Sequence, residues 1–274
     1  MVSTLSDRSH EISVPTSAGI TVRDVTLRNG VRLGYADRGP RLGPVVLMLH
    51  GYTDSWFSFS RVLPLLPKDL RVFALDQRGH GDSDRPAAGY SIDHLAADAV
   101  QFMDALNIAS ATVVGHSMGS FVARRMAERA PTRVRRLVVV GSACTARTPA
   151  VADLAEAVNA LTDPVDEGFV RTFQSSTICR PVPSGFLRRV VEDSRRVPAR
   201  VWKAALAGQL EYTPSTVPLR CPAVVIGGEE DGVFPAVEQR ALVRILPNAT
   251  FHIEPGLGHA PHWEDPDRVV ALMR

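Results

Sequence analysis

Gly115-His116-Ser117-Met118-Gly119 lies between an apolar run, Ala111–Val114, and a helical pattern beginning near Ser120. A strand that turns into a helix across one residue strains that residue's backbone and pushes its side chain out of the chain's path. Gly115 and Gly119 are expected to let the two arms approach, since a side chain at either position would collide with the other arm. The hydroxyl of Ser117 is thereby presented as a candidate nucleophile. At neutral pH it needs a base within hydrogen-bond reach, and that base needs a carboxylate to orient it.

Eight histidines compete for the part of the base. His259 sits in Gly256-Leu257-Gly258-His259-Ala260, a loop just after the last strand-like run, and in a parallel sheet such a loop opens at the same edge as Ser117. His10 belongs to a polar tail, His94 to a helix surface and His252 to a strand, while His116 points away from its neighbour Ser117. His262, three residues from His259, is the competitor, and its structural reading is a hydrogen-bonded loop residue. The orienting acid should also leave a strand end. Gly227-Gly228-Glu229-Glu230-Asp231 follows the run Ala223–Ile226 and supplies three carboxylates. Glu229 and Glu230 read as solvated loop residues; Asp231, before Gly232 and a turn at Pro235, is the choice.

Acyl chemistry also requires donors for a developing oxyanion. The Met118 N–H lies at a helix start, where it has no intrahelical partner and the helix dipole favours negative charge. The Tyr52 N–H, in His50-Gly51-Tyr52 after the run Val45–Leu49, is the second expected donor, with Gly51 permitting the turn. The side chain of Tyr52 reads as an ordinary pocket wall.

These residues must be held by a sheet. Thr21–Leu27 and Val31–Ala36 flank Arg28-Asn29-Gly30, a hairpin signal. Val45–Leu49, Arg71–Leu75, Ala111–Val114, Leu137–Val140, Ala223–Ile226 and Thr250–Ile253 follow, and the later runs are continuously apolar, as strands covered on both faces are. Leu95, Ala99, Phe102, Met103 and Leu106 mark one face of a helix that Ser91 is placed to cap. Strands alternating with helices predict a mostly parallel, doubly wound α/β sheet with an N-terminal antiparallel hairpin.

Between about Ser142 and Pro218 the alternation stops, and prolines at 149, 164, 181, 183, 198, 214 and 218 divide the stretch into short helices. Val151, Leu154, Val158 and Leu161, then Val201, Trp202, Ala205 and Leu206, have helical spacing. The expected organisation is a core of residues 1–141 and 219–274 with a helical insertion over 142–218.

With these residues in this order, the chain resembles serine hydrolases of the α/β-hydrolase fold superfamily. The resemblance rests on His50-Gly51, Asp76-Gln77-Arg78-Gly79-His80-Gly81-Asp82-Ser83, the glycine-flanked Ser117, Gly228-Glu229-Glu230-Asp231, and Gly258-His259 followed by Glu264 and Pro266. It implies a triad of Ser117, Asp231 and His259, a mainly structural Asp76–Ser83 loop, and a cap that roofs the site. It also implies a final helix longer than one ending at Arg274, as in a chain trimmed there. Members with an aspartate nucleophile, the haloalkane dehalogenases and epoxide hydrolases, are disfavoured by serine at 117.

The expected function is therefore cofactor-independent cleavage of a small or aliphatic carboxylic ester through an acyl-enzyme. Lactone hydrolysis, C–C bond hydrolysis and perhydrolysis are alternatives on the same triad. A similarity through His50–Trp56 and Pro181–Leu187 to bacterial hydrolases of aliphatic polyesters extends the substrate class. A ligand receptor that keeps the fold without catalysis is the rival from another class. Trp56, Phe173, Phe186 and Trp202 are expected to line the substrate pocket, with Phe57 beside them. Arg188, Arg189, Arg195, Arg196 and Arg200 read as a solvated helix face, because Glu192 and Asp193 stand four residues after the first two; the sharper reading is recognition of an anionic substrate.

Composition narrows the partners. A formal net charge of +2, from 31 basic and 29 acidic residues, offers no electrostatic reason to expect nucleic acid or an anionic membrane. Met1–Thr16 lacks the apolar segment of a secretory signal, and no stretch approaches the ~18 apolar residues of a membrane span. Cys144, Cys179 and Cys221 have no metal or redox spacing and read as small buried hydrophobes in a reducing compartment. His50 and His80 suit loop hydrogen bonding better than metal ligation. The expectation is a cytoplasmic enzyme acting on a small molecule with no metal or cofactor.

Overall fold

Each apolar run expected to be a strand is one in the computed structural model, which describes residues 19–273. His10 and the rest of the polar N-terminal tail lie outside the described residues, as does Arg274. The strands are β1 (Ile20–Thr26), β2 (Arg32–Arg38), β3 (Val45–Leu49), β4 (Arg71–Leu75), β5 (Ala111–His116), β6 (Val134–Val140), β7 (Ala223–Gly228) and β8 (Ala249–Glu254). They form one sheet in the order β1-β2-β4-β3-β5-β6-β7-β8. β1 pairs antiparallel with β2, and β2 with β4; the pairings from β4 onward through β8 are parallel. The hairpin closes where the Leu27 N–H donates to the Val31 carbonyl at 2.8 Å, with Gly30 at φ +84°.

The continuous apolar character of the later strands follows from a core on each side of the sheet. In β6, Leu137 and Val139 enter one cluster with Phe102, Phe121 and Trp202, whereas Val138 and Val140 enter the other with Phe59, Val269 and Val270. Successive side chains point to opposite faces, so a strand covered twice has no polar alternation.

The helices are α1 (Ile92–Ala105), α2 (Met118–Arg129), α3 (Pro149–Asn159), α4 (Glu167–Ser176), α5 (Ser184–Arg195), α6 (Ala199–Glu211), α7 (Ala236–Val243), α8 (Pro261–Glu264) and α9 (Pro266–Leu272). Ser91 caps α1, its hydroxyl accepting from the His94 N–H at 3.3 Å. Helices α3 to α6 occupy the interval between β6 and β7. The prolines there start helices as well as ending them: Pro149 is in the first turn of α3, and Pro183 and Pro198 precede α5 and α6. A fixed φ and a missing N–H cost nothing at a helix start. Leu161, expected on the first helix of this stretch, lies beyond the end of α3.

Four of the five arginines of the basic run have partners in the fold. Arg195 pairs with Glu167 at 2.8 Å and Arg196 with Asp82 at 2.5 Å, while Arg200 donates to the carbonyls of Arg85 and Pro86. Arg189 does meet Asp193 at 3.0 Å, as its spacing predicts, but Asp193 is buried and also accepts from the Ser55 hydroxyl at 2.6 Å. Arg196, Arg200 and Asp193 thus tie α5 and α6 to the sheet's loops. The cysteines are not buried as expected: Cys179 is exposed, and Cys144 and Cys221 are only half-buried. Among the described residues no helix is long and apolar enough to cross a membrane.

Candidate active site

Ser117 stands between β5 and α2 with φ 49° and ψ −117°, a left-handed conformation that a non-glycine residue adopts only under constraint. The constraint is visible in its neighbours. A Cβ at Gly115 would lie 2.2 Å from the Gly119 carbonyl oxygen, so the strand needs glycine to pass the helix. Gly119 is required for a different contact than expected: its Cβ would meet the Leu49 carbonyl oxygen at 2.0 Å, at the end of β3, not the other arm of the turn. The Ser117 N–H donates to the Val140 carbonyl at 3.0 Å, fixing the turn against β6. The helix starts at Met118, two residues earlier than its apolar pattern predicts.

His259 lies on the loop between β8 and α8, and its Nε2 is 2.8 Å from the Ser117 Oγ. Its Nδ1 is 2.9 and 3.1 Å from the two carboxylate oxygens of Asp231, on the loop after β7. A carboxylate accepts only, so Nδ1 carries the proton and Nε2 is the bare nitrogen facing the serine. All three side chains are buried. Asp231 is locked by its own turn, where Oδ1 accepts from the N–H groups of Val233 and Phe234 at 2.9 and 2.8 Å. Gln239 on α7 adds a contact to Oδ2 at 3.3 Å. Glu229 and Glu230 are exposed.

The remaining histidines separate cleanly. His94 is exposed on α1 and His252 half-buried in β8. His262 is buried, its ring centroid 4.3 Å from that of His116, and burial followed by the field of His259 pushes its pKa down to about 3. It has no contact with Ser117 among the described residues' hydrogen bonds. His50 accepts from the Gln77 N–H at 3.0 Å through Nε2 and donates to the Gly51 carbonyl at 2.8 Å through Nδ1. His80 donates to the Arg78 carbonyl at 2.8 Å, and burial lowers its pKa to about 4. Both rings hold loop backbone.

The loop after β3 brings Tyr52 to the site. Gly51 serves it by being small: a Cβ there would lie 2.7 Å from His116 Nδ1 and 2.9 Å from an Asp54 carboxylate oxygen. The left-handed residue of this loop is instead Thr53, φ 62°. Among the described residues, neither the Tyr52 nor the Met118 N–H is taken up by an internal hydrogen bond. The Tyr52 hydroxyl donates to the Trp202 carbonyl of α6 at 2.6 Å.

A cavity of about 340 Å³ opens on Ser117 and His259. Val151 and Leu154 of α3, Phe173 of α4, Leu206 of α6, and Val233 and Phe234 after β7 give it an apolar wall. Of the four aromatic residues expected to line it, only Phe173 does. Trp202 is fully buried behind the wall, its ring 5.3 Å from Tyr52 and 5.4 Å from Phe173. Phe186 packs behind Trp263, which takes the place on the cavity, with ring centroids 5.5 Å apart. Phe57 stacks on Phe186 rather than facing the cavity. Trp56 belongs to the core on the other side of the sheet, with Met48, Val72 and Phe59. Aromatic character alone does not say which row of a wall a residue occupies.

Three further residues position the site. His116 donates from Nε2 to the His259 carbonyl at 3.1 Å. Glu264 on α8 accepts from the Gly258 N–H at 2.8 Å and from the N–H groups of Cys179 and Arg180 at 2.9 and 2.5 Å, binding the histidine loop to the chain after α4. Gln239 has no motif or spacing that marks it in the sequence; Glu264 was marked only through the resemblance.

The family model described as alpha/beta hydrolase fold matches residues 44–266. A putative 2-succinyl-6-hydroxy-2,4-cyclohexadiene-1-carboxylate synthase of Bacillus subtilis is 30% identical over 264 residues, covering 89% of this chain and 93% of the relative. Mouse epoxide hydrolase 4 is 33% identical over 130 residues, which span 47% of this chain and only 35% of that protein. Among solved structures, a thermophilic esterase from Thermogutta terrifontis superposes with a TM-score of 0.78 at 25% identity, covering 93% of this chain and 97% of the esterase.

Proposed function

The chain belongs to the alpha/beta hydrolase fold family, and from that premise we propose that it is a serine hydrolase cleaving carboxylic esters through an acyl-enzyme. The observation that carries the reading is the chain of contacts from Ser117 Oγ to His259 Nε2, 2.8 Å, and from His259 Nδ1 to Asp231, 2.9 Å. His259 takes the serine proton as Ser117 attacks the ester carbonyl, and returns it to the leaving alcohol. Asp231 holds the tautomer this requires and stabilises the imidazolium. The N–H groups of Tyr52 and Met118 receive the oxyanion, and water then repeats the sequence to release the acid. Every step uses groups of this chain.

Helices α3 to α6 act as the cap, supplying Val151, Leu154, Phe173 and Leu206 to the substrate cavity. The thermophilic esterase supports the ester reading. A panel of p-nitrophenyl esters, lactones and polyester emulsions tests it, with a non-ester arm included because the Bacillus relative is named a synthase. Saturable ester hydrolysis is expected. Hydrolysis of no ester at all, with Ser117 unreactive toward a fluorophosphonate, would favour the receptor reading.

A further inference from the structure

Asp54 is an acidic group in the cavity wall, beside Gln174 and His116, and the proposed ester hydrolysis leaves it without a task. It is 3% exposed and lines the same cavity as Ser117 and His259. Gln174 of α4 donates to its Oδ1 at 3.1 Å. Oδ2 has no side-chain partner among the described residues; the nearest ring nitrogen, His116 Nδ1, is 3.9 Å away, too far for a hydrogen bond. That nitrogen is itself buried and unpartnered, because His116 spends its one N–H on the His259 carbonyl. The two groups close over Gly51, where a Cβ would come within 2.7 Å of the nitrogen and 2.9 Å of the oxygen. Gly51 immediately precedes Tyr52, the proposed oxyanion donor, so Asp54 stands a few bonds from where the scissile carbonyl would sit.

Burial is the main influence on the Asp54 carboxyl and Asp193 adds to it, while hydrogen bonds from Gln174 and the Gly51 backbone oppose them; the balance raises its pKa to about 7. A carboxyl poised there spends much of its time neutral, and a neutral carboxyl both donates and accepts. A purely alkyl ester filling the cavity would cover the Asp54 carboxyl and offer it no further hydrogen bond. A carboxylate-bearing substrate would meet a like charge whenever the Asp54 carboxyl is ionised.

Resting on the serine-hydrolase reading, we propose that Asp54 is a specificity-determining residue that reads a second oxygen function, hydroxyl or carbonyl, a few bonds from the scissile ester. The preferred substrates are oxygenated neutral esters, not plain alkyl ones.

The test compares kcat/KM within two matched pairs, one for each side of the ester. These are methyl 3-hydroxybutanoate against methyl 3-methylbutanoate, and 2-hydroxyethyl butanoate against propyl butanoate. Wild type is expected to favour the oxygenated member of at least one pair about tenfold, the scale of one well-made hydrogen bond. Asp54→Leu should bring that ratio close to one, and Asp54→Asn, which still donates and accepts, should keep it within about threefold of wild type. Fluorophosphonate labelling at Ser117 establishes that each variant is folded; if Asp54→Leu is not, Asp54→Ala gives the same readout. Hydrolysis of both members of both pairs without discrimination by wild type would overturn this inference alone. So would a ratio that survives in the labelled Leu or Ala variant. No hydrolysis and no labelling would overturn the serine-hydrolase reading with it.

Discussion

His116 donates its Nε2 proton to the carbonyl oxygen of His259 at 3.1 Å, so the residue before the proposed nucleophile holds the backbone of the proposed base. The two rings lie 5.1 Å apart, and burial, with His262 and His259 nearby, keeps His116 well below its ordinary pKa and neutral. The bond links the end of β5 to the loop after β8 across β6 and β7.

Replacing His116 by Phe should therefore act through His259. The ring volume is kept and one buried hydrogen bond is lost, so kcat is expected to fall about tenfold. Steady-state kinetics on p-nitrophenyl butanoate should show the fall in kcat rather than in KM. A variant with wild-type kcat would mean that the loop is held well enough without this bond.

Asp231→Asn should be far more damaging. It puts an amide where the imidazole needs an acceptor and favours the wrong tautomer, a change that costs about 10⁴ in kcat in the serine-protease case. Glu229→Gln and Glu230→Gln, at exposed positions, should each stay within about tenfold of wild type. A reversal of these two outcomes in parallel kinetic measurements would reassign the orienting acid.

The wall and the row behind it should respond differently to truncation. Phe173→Ala enlarges the cavity and should change the relative rates on short and long acyl esters by a few fold, since an added methylene contact is worth only about 1–3 kcal/mol. Trp202→Ala removes a fully buried side chain and should cost about 3–5 kcal/mol of stability. Urea unfolding and an acyl-chain profile, run on both variants, separate the two effects. A Trp202 variant of normal stability would contradict its placement behind the wall.

Much of this arrangement is legible in the sequence, for identifiable reasons. Strands β3 to β7 announce themselves because both faces are largely buried, and Ser117 and Asp231 each follow one, with His259 after the half-buried β8, which is why strand ends alone bring them to one edge. The hairpin is legible in Asn29-Gly30 because few residues tolerate that turn. What escaped is what depends on tertiary direction. Trp56 and Tyr52 are four residues apart, yet one enters the core beyond the sheet and the other the cavity. Asp54 meets a residue far along the chain, Gln174, and Gln239 reaches back across the turn after β7 to Asp231, and no helix or strand spacing records such pairs. The basic run of α5 and α6 looked solvated because only i+4 partners can be read from spacing, whereas Arg196 and Arg200 find theirs on the Asp82–Pro86 loop.

Stability should rise from acid pH and level off near neutral pH, below the isoelectric point of about 8.6. His50 and His116 are buried with pKa values well below 6.5, and His80 and His262 are lowered to about 4 and 3. Below pH 6.5 the unfolded chain takes up protons that these folded histidines refuse, so stability is lost as the pH falls. Asp54 and Asp76, both raised by burial to about 7, act oppositely: the folded chain keeps their protons between pH 3.8 and about 7, so stability is lost as the pH rises through that window. The four histidines outweigh the two carboxyls on the acid side, whereas above pH 6.5 the last histidine protons of the unfolded chain and the carboxyl protons of the folded one nearly cancel. Urea midpoints should rise from pH 4.5 to 6.5 and change little from 6.5 to 8; a midpoint at 4.5 equal to or above that at 6.5 would contradict the assignment.

The central claim is that the strained Ser117 is a nucleophile activated by His259. The most direct measurement is the hydrolysis of p-nitrophenyl butanoate by purified Ser117→Ala beside wild type, with folding of both checked by urea unfolding. Removing one hydroxyl takes away little packing, so the urea midpoint should be nearly unchanged while kcat falls by about 10⁴–10⁶, leaving only what the oxyanion donors and binding supply. A folded Ser117→Ala protein that keeps more than about a tenth of wild-type activity would contradict the claim, because losing a true triad nucleophile costs orders of magnitude more.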